Sequence, residues 1–325
     1  MSMAVVATKP GGPNVLEWRE VATGRPGPDE VLLKQTAVGV NFIDTYFRTG
    51  LYPWPQGEPL IPGGEAAGVI EEVGKDVKEL AVGDRVAYTT PLGAYRESRV
   101  MKAERLVKLP PGVSDEVAAA IMLKGLTAHY LLHRTFRVHS GQHVLFHAAA
   151  GGVGLIAGQW LAGLGAIAIG TVGSADKAAL ARRHGYAHVI NYKTEDFAKR
   201  VAEITEGKGV HVVYDSVGKD TYRESLKCLR RLGHFVSFGQ SSGMITDFKL
   251  SDLASHGSLT ATRPVLFDYI ATHDELEQAA DALFAEIVSG RVMVQVHQTF
   301  PLRDAAEAHR QLESRSTVGS SVLLP

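Results

Sequence analysis

Alternation of apolar and polar positions marks the first hundred residues as strands. Val31–Val40 alternates as a half-buried strand does, and Ala66–Val73 and Asp84–Tyr88 continue the pattern. Gly11-Gly12-Pro13, Arg25-Pro26-Gly27-Pro28 and Val82-Gly83-Asp84 punctuate these runs as turns. The stretch from Met1 to about Val107 therefore predicts a β-rich domain of partly open barrel type. Past Pro110-Pro111-Gly112 the period changes. Ser114–Ala120 reads as a capped helix start and Gly125–Phe136 as a second helix.

From Val144 onward strands and helices take turns. A buried strand at Val144–His147 leads into a helix over Leu155–Leu164, then strand Ala166–Val172 and helix Asp176–His184. Strand His188–Asn191, helix Phe197–Ile204, strand Val210–Ser216, helix Thr221–Cys228 and strand His234–Gly239 continue the rhythm. Such alternation requires crossover connections, hence a parallel, doubly wound sheet over about Lys124–Pro264. The tail, a helix over Glu275–Ser289 and strands over Val292–Phe300 and Ser321–Leu324, returns in style to the first region. The expected fold is α/β, with a β-rich domain at 1–123, a doubly wound domain at 124–266 and a return to the first domain at 267–325.

Composition narrows the function classes. The 325 residues carry a net charge of −1, with 45% hydrophobic and 21% charged positions, ordinary for a soluble globular chain. A near-neutral balance without a basic stripe points away from nucleic acid and anionic membranes. The single cysteine, Cys228, excludes an internal disulfide framework and a thiolate-rich zinc site. Met1–Pro10 lacks the apolar run of a secretory leader, and no apolar segment reaches membrane-spanning length. A cytoplasmic location is expected.

The chemistry concentrates after the strand Val144–His147. Ala148-Ala149-Ala150-Gly151-Gly152-Val153-Gly154 matches G-x-G-x-x-G with Ala149 in the first slot, between a strand and a helix. Small residues there let the backbone approach a pyrophosphate, and the helix N-terminus turns its N–H groups toward it. At the end of the next strand an NAD site would place a carboxylate; here stand Gly173 and Ser174, with Asp176 read as beginning or capping the following helix. The Ser174 hydroxyl and Lys177 ammonium suit a ribose 2′-phosphate, so NADPH is the favoured cofactor. Gly239-Gln240-Ser241-Ser242-Gly243 also satisfies the G-x-S-x-G hydrolase pattern, but Met244–Lys249 alternates instead of opening a helix. The pairs His129/His133 and His139/His143 have i,i+4 spacing but lack the context of a metal-binding helix.

Several motifs together resemble the zinc-free quinone oxidoreductases of the medium-chain dehydrogenase/reductase superfamily. They are Gly39-Val40-Asn41-Phe42-Ile43-Asp44-Thr45-Tyr46, Gly63-Gly64-Glu65-Ala66-Ala67-Gly68, Gly83-Asp84-Arg85-Val86 and Leu123-Lys124-Gly125-Leu126-Thr127-Ala128. Ala148–Gly154, Tyr214-Asp215-Ser216-Val217-Gly218 and Leu312-Glu313-Ser314-Arg315 complete the series in the family's order. The resemblance implies a GroES-like catalytic domain, a Rossmann domain, a cleft between them and a homodimer. It implies catalytic roles for Asn41, Tyr46 and Tyr52. To the loop residues Gly151, Gly152 and Val153 and the strand-end Gly173, Ser174 and Lys177 it adds cofactor contacts from Phe42, Asp44, Thr127, Tyr130 and Tyr192. Further contacts are implied for Ser216, Phe238, Gly239, Gln240, Ser241, Pro264, Leu266 and Arg315.

No metal is expected. Where zinc-dependent relatives show Cys after the Gly-Val strand this chain has Asn41, and Gly64 stands where they carry His. Without a Lewis acid the accessible reaction is hydride delivery to an acceptor that delocalises charge by itself. Quinones fit, and so do α,β-unsaturated carbonyls or enoyl thioesters, the alternative acceptors. A non-catalytic structural or RNA-binding role is the distant alternative. Lys124 and Glu65 are expected to form an ion pair.

Overall fold

In the computed structural model, residues 1–54, 59–314 and 317–325 are described. The first stretch runs β1 (Ser2–Val6), β2 (Glu17–Val21), β3 (Glu30–Gly39), α1 (Phe42–Arg48), β4 (Glu65–Val73), β5 (Arg85–Thr89), β6 (Ser98–Lys102) and β7 (Val107–Lys108). Then follow α2 (Asp115–Tyr130), β8 (His143–Phe146), α3 (Gly152–Gly163), β9 (Ile167–Val172), α4 (Ala175–Arg183), β10 (His188–Asn191) and α5 (Phe197–Ile204). β11 (Val210–Asp215), α6 (Tyr222–Cys228), β12 (Leu229–Ser237), α7 (Leu250–Ser255), β13 (Thr260–Thr262) and α8 (Leu266–Tyr269) come next. α9 (His273–Val288), β14 (Val296–Pro301), α10 (Ala305–Glu313) and β15 (Ser320–Leu324) close the chain. Two compact units result: residues 1–126, 270–288 and 294–325, and residues 127–269 with 289–293.

The first unit is a GroES-like, largely antiparallel assembly. Its seven-stranded sheet has the order β14-β15-β3-β4-β5-β7, with β6 also on β3. β3 shows why the period-two pattern was readable: Val31, Leu33 and Ala37 are buried while Lys34 and Thr36 face water. Leu33 pairs in register with Ile70 of β4, and both enter a core completed by Val86, Tyr88 and the α10 residues Ala305 and Ala308.

The second unit is a Rossmann fold. Its six-stranded sheet, order β10-β9-β8-β11-β12-β13, is parallel throughout. Numbered within the unit this is 3-2-1-4-5-6, so the direction of winding reverses between β8 and β11. Strands covered on both faces have no polar side, and Val144, Leu145 and Phe146 are buried in succession, as are Val212, Val213 and Tyr214.

Four expectations need correction. The helix read over Gly125–Phe136 is the second half of one continuous helix, α2, followed by a π-helical turn at Leu131–Thr135. Gly125 is not a break but a close approach: a Cβ there would lie 2.6 Å from Cδ2 of Leu283 on α9. The strand read from Val292 begins at Val296, and the strand read from His234 begins at Leu229 directly after α6. Met244–Lys249 is irregular chain rather than an extended run, ending where α7 begins. Among the described residues no helix is long and apolar enough to cross a membrane.

The tightest fit lies at the start of α3. A Cβ on Gly154 would stand 2.5 Å from the Ala148 carbonyl oxygen and 2.7 Å from that of Ala149, both backbone atoms that cannot swing aside. Gly154→Ala should therefore push α3 off β8 and lower stability by about 1–3 kcal/mol, measurable as a fall in the urea midpoint at unchanged m.

Candidate active site

β8 ends at the point where the sheet reverses, the place at which open α/β sheets bind ligands. Beyond it Ala148 adopts a left-handed conformation (φ 55°), and the Gly151 N–H closes the turn on the Ala148 carbonyl at 2.9 Å. α3 then starts from Gly151 with no side chain capping its N-terminus. The first-turn N–H groups of an α-helix have no partner inside the helix, so those of Gly152 and Val153 form the kind of helix start that accepts an anion.

The end of β9 carries no carboxylate. Ser174, not Asp176, caps α4: its Oγ accepts the Lys177 N–H at 3.3 Å, and Asp176 lies exposed within the first turn. The capping Oγ is an acceptor in that bond, which leaves its own O–H able to donate. Tyr192 crosses from the end of β10 so closely that a Cβ on Gly173 would meet its hydroxyl at 2.6 Å. Gly173, Ser174, Lys177 and Tyr192 are thus gathered at one strand end.

A second loop pair forms at the end of β11. Gly239 lies against Ser216, where a Cβ would fall 2.7 Å from the Ser216 carbonyl, and Ser241 N–H donates to that carbonyl at 3.1 Å. Phe238 stacks tilted on Phe146 at 5.6 Å, joining this loop to β8. No helix follows Ser241 directly, so the G-x-S-x-G match lacks a nucleophile elbow. Thr127 and Tyr130 are buried on α2, and Tyr130 stacks on Tyr269 of α8 at 4.5 Å, the helix that also carries the buried Leu266 after Pro264. His129 and His133 pack their rings together and against Trp160.

In the first unit the polar residues converge on two buried carboxylates. Glu65, on β4, is fully buried. Its Oε1 accepts from Asn41 Nδ2 at 2.9 Å and from the Lys124 ammonium at 2.5 Å, while Oε2 accepts the Leu123 N–H at 2.7 Å. A carboxylate only accepts, so the Asn41 amide must present its NH2 to Glu65 and its carbonyl oxygen elsewhere. The expected Lys124–Glu65 pair is present.

Asp44, at the third position of α1, is also fully buried. Its Oδ2 accepts the Asn41 N–H at 2.8 Å and the Tyr95 hydroxyl at 3.0 Å, while Oδ1 has no hydrogen-bond partner among the described residues. Behind Tyr95 lies His309 (2.9 Å), whose other ring nitrogen meets Nη1 of Arg48 at 2.9 Å. Guanidinium only donates, so His309 accepts at Nδ1, donates at Nε2 to Tyr95, and Tyr95 donates to Asp44. Burial holds His309 neutral, with its pKa pushed down to about 3. Arg48 pairs with Glu313 and Lys124 with Glu65 rather than with Asp44. Burial accordingly raises its pKa to about 7, against the lowering effect of the Asn41 N–H and Tyr95.

Tyr46 and Tyr52 are half-buried beside this cluster, edge to face at 5.4 Å, with Phe42 at the start of the same helix. Arg315 lies outside the described residues. Sequence reasoning missed Tyr95, His309 and the roles of Arg48 and Glu313. They come from α1, the stretch before β6 and α10, which nothing in the sequence links.

Residues 27–111 match the family described as alcohol dehydrogenase GroES-like domain, and residues 152–285 the one described as zinc-binding dehydrogenase. A quinone oxidoreductase of Pseudomonas aeruginosa is 52% identical over 316 residues, spanning 97% of this chain and 97% of that protein. A 2-haloacrylate reductase of Burkholderia is 49% identical over 331 residues, spanning 100% of this chain and 99% of that protein. The crystal structure of Escherichia coli quinone oxidoreductase complexed with NADPH superposes with a TM-score of 0.97 at 50% identity, covering 99% of this chain and 100% of that one.

The donors in the first unit do not fit zinc. Asn41 is an amide held by Glu65, position 64 has no side chain, and a Cβ there would run into Leu123 at 2.8 Å. Glu65 is already neutralised by an ammonium that would repel a second cation. Among the described residues no group of three or more His, Cys, Asp or Glu is arranged to hold a metal.

Two measurements probe this cluster. Lys124→Met leaves Glu65 buried and unpaired, and should lower stability by roughly 3–5 kcal/mol in denaturant titration, partly restored by adding Glu65→Gln. Asp44 has its pKa raised from 3.8 to about 7, so across that interval the folded chain retains a proton that the unfolded chain has released. Its contribution to stability is complete below pH 4, is lost as pH rises toward 7, and is flat above. Asp44→Asn, which keeps both accepted hydrogen bonds, should flatten that slope in melting temperature against pH.

Proposed function

Because the chain belongs to the quinone oxidoreductase family of the medium-chain dehydrogenase/reductase superfamily, we propose that it passes reducing equivalents from NADPH to quinones without a metal. Bound NADPH supplies the hydride. The uncapped start of α3 holds the pyrophosphate through the N–H groups of Gly152 and Val153, with Gly151 keeping the approach open. Ser216 and the loop Phe238–Ser241, with Pro264 and Leu266, line the nicotinamide half, joined by Thr127 and Tyr130. Phe42, Asp44 and Arg315 complete the cofactor set.

The end of β9 carries the choice of NADPH over NADH. Ser174 donates a hydroxyl proton, Lys177 brings positive charge and Tyr192 a phenol to one place, and positions 173 and 174 carry no carboxylate to repel a 2′-phosphate. The relative solved with NADPH supports the same reading.

On the acceptor side Asn41 is pre-oriented. With one amide N–H committed to Glu65, its other N–H and its carbonyl are presented in a fixed direction, which orients an acceptor oxygen or a ribose hydroxyl. Tyr46 and Tyr52 offer phenolic hydroxyls to a quinone oxygen. An acceptor that spreads the incoming charge over its own conjugated system needs only this modest assistance. A small-molecule quinone is therefore the partner. The family resemblance also supports a cytoplasmic homodimer, for which light scattering should give twice the chain mass.

A second reading, reduction of an alkene conjugated to a carbonyl or carboxyl group, is favoured by the 49% identity to a 2-haloacrylate reductase. The acceptors separate the two. With NADPH in excess, 1,4-benzoquinone and 9,10-phenanthrenequinone should both turn over. Failure of both alongside turnover of an enone or 2-chloroacrylate overturns the quinone assignment. For the donor, Lys177→Ala should raise the NADPH KM about 10-fold and leave the NADH KM unchanged. Equal use of NADH by the wild type, with no effect of Lys177→Ala, rejects NADPH.

A further inference from the structure

A chain of hydrogen bonds runs underneath the two loops assigned to the cofactor. His147, immediately before the glycine-rich turn, is fully enclosed. Its Nδ1 lies 2.8 Å from Thr171 Oγ1 on β9 and its Nε2 2.9 Å from Ser225 Oγ on α6. Ser225 Oγ reaches Oδ2 of Asp215 at 3.4 Å, at the end of β11. Asp215 spreads the connection further: Oδ1 accepts the N–H groups of Val217 and Gly218 at 2.7 and 2.9 Å, and Oδ2 the Thr221 hydroxyl at 2.7 Å.

Donor and acceptor chemistry fixes the direction of every bond. The Asp215 carboxylate only accepts, so Ser225 must donate to it and offer its lone pair to His147. His147 therefore carries its proton on Nε2, and Nδ1 accepts the Thr171 hydroxyl. Burial pushes the His147 pKa down, which keeps the ring in this neutral form. At its two ends the chain meets the backbone of both loops. The Thr171 carbonyl accepts the Ala149 N–H at 3.0 Å, inside the glycine-rich turn, and Asp215 holds the turn at Val217 and Gly218. These are the two loops flanking the reversal between β8 and β11.

We propose that Thr171–His147–Ser225–Asp215 is a positioning device that fixes the pyrophosphate loop and the Ser216–Gly218 turn relative to one another, so that cofactor affinity depends on it and the chemical step does not. None of the four side chains needs to touch the cofactor. The inference rests on the NADPH reading for its ligand, whereas the coupling of the two loops is a property of the protein alone.

Thr171→Val is nearly isosteric and removes only the donor to Nδ1, and Ser225→Ala breaks the chain at its other joint. Calorimetric titration with NADPH should show Kd raised about 10-fold in either variant, with kcat at saturating NADPH within about twofold of wild type. Thr171→Ser, which keeps the hydroxyl, should restore Kd. Amide exchange in the cofactor-free protein should rise in both residues 148–154 and 216–218 on breaking either joint. Wild-type Kd in Thr171→Val and Ser225→Ala despite a lower melting temperature, or faster exchange confined to the loop next to the mutation, overturns the proposal. If wild-type protein fails to bind NADPH, the cofactor reading falls, and joint loosening of the loops still decides the coupling.

Discussion

A carboxylate taken wholly out of water must be met by donors from several directions, and Glu65 is met by three. The demand reaches far beyond the residue. It brings the start of α1 through Asn41, the middle of α2 through Leu123 and Lys124, and β4 to a common point. It also explains Gly39: a Cβ there would lie 2.4 Å from Glu65 Oε1 and 2.2 Å from the Ala119 carbonyl oxygen. Three motifs distant in sequence, Gly39–Asn41, Gly63–Glu65 and Leu123–Gly125, are parts of one electrostatic solution. Lys124 supplies the positive charge that this solution requires, so Asn41 is fixed in orientation without a metal ion.

The two units keep their loops in place by different physics. In the first, charge dominates: the buried Lys124–Glu65 pair, the buried Arg48 guanidinium and the buried Asp44 carboxyl lie close together. In the second, the loops are held by backbone geometry and by a chain of hydroxyls and one imidazole that ends on the Asp215 carboxylate.

The architecture was legible wherever one physical demand acted on consecutive residues. Period-two alternation revealed β3, and unbroken apolar runs flanked by helices revealed the parallel sheet. Helix limits were less so, because tertiary packing overrode local cues: Gly125 reads as a break but accommodates Leu283. The loop at Ala148–Gly154 and the strand end at Gly173–Lys177 could be read because neighbours in sequence form them. The Asp44–Tyr95–His309–Arg48 chain could not, since its members come from three segments, α1, the stretch before β6 and α10, and only their burial together gives them meaning. His147 was visible in the sequence but its partners were not.

Ala148 stands in a conformation that favours glycine, with φ at 55°. An L-residue there carries a strain of roughly 1–2 kcal/mol, which a glycine would remove. Glycine would also open the turn to many more shapes. With alanine, the methyl group restricts the turn while the Thr171 and Gly151 hydrogen bonds hold the strained geometry in place. The loop's receptive shape is therefore its dominant population before any ligand arrives. Affinity is not divided by the small occupancy of a rare conformer, and a ligand meets a loop whose ordering was completed when the chain folded.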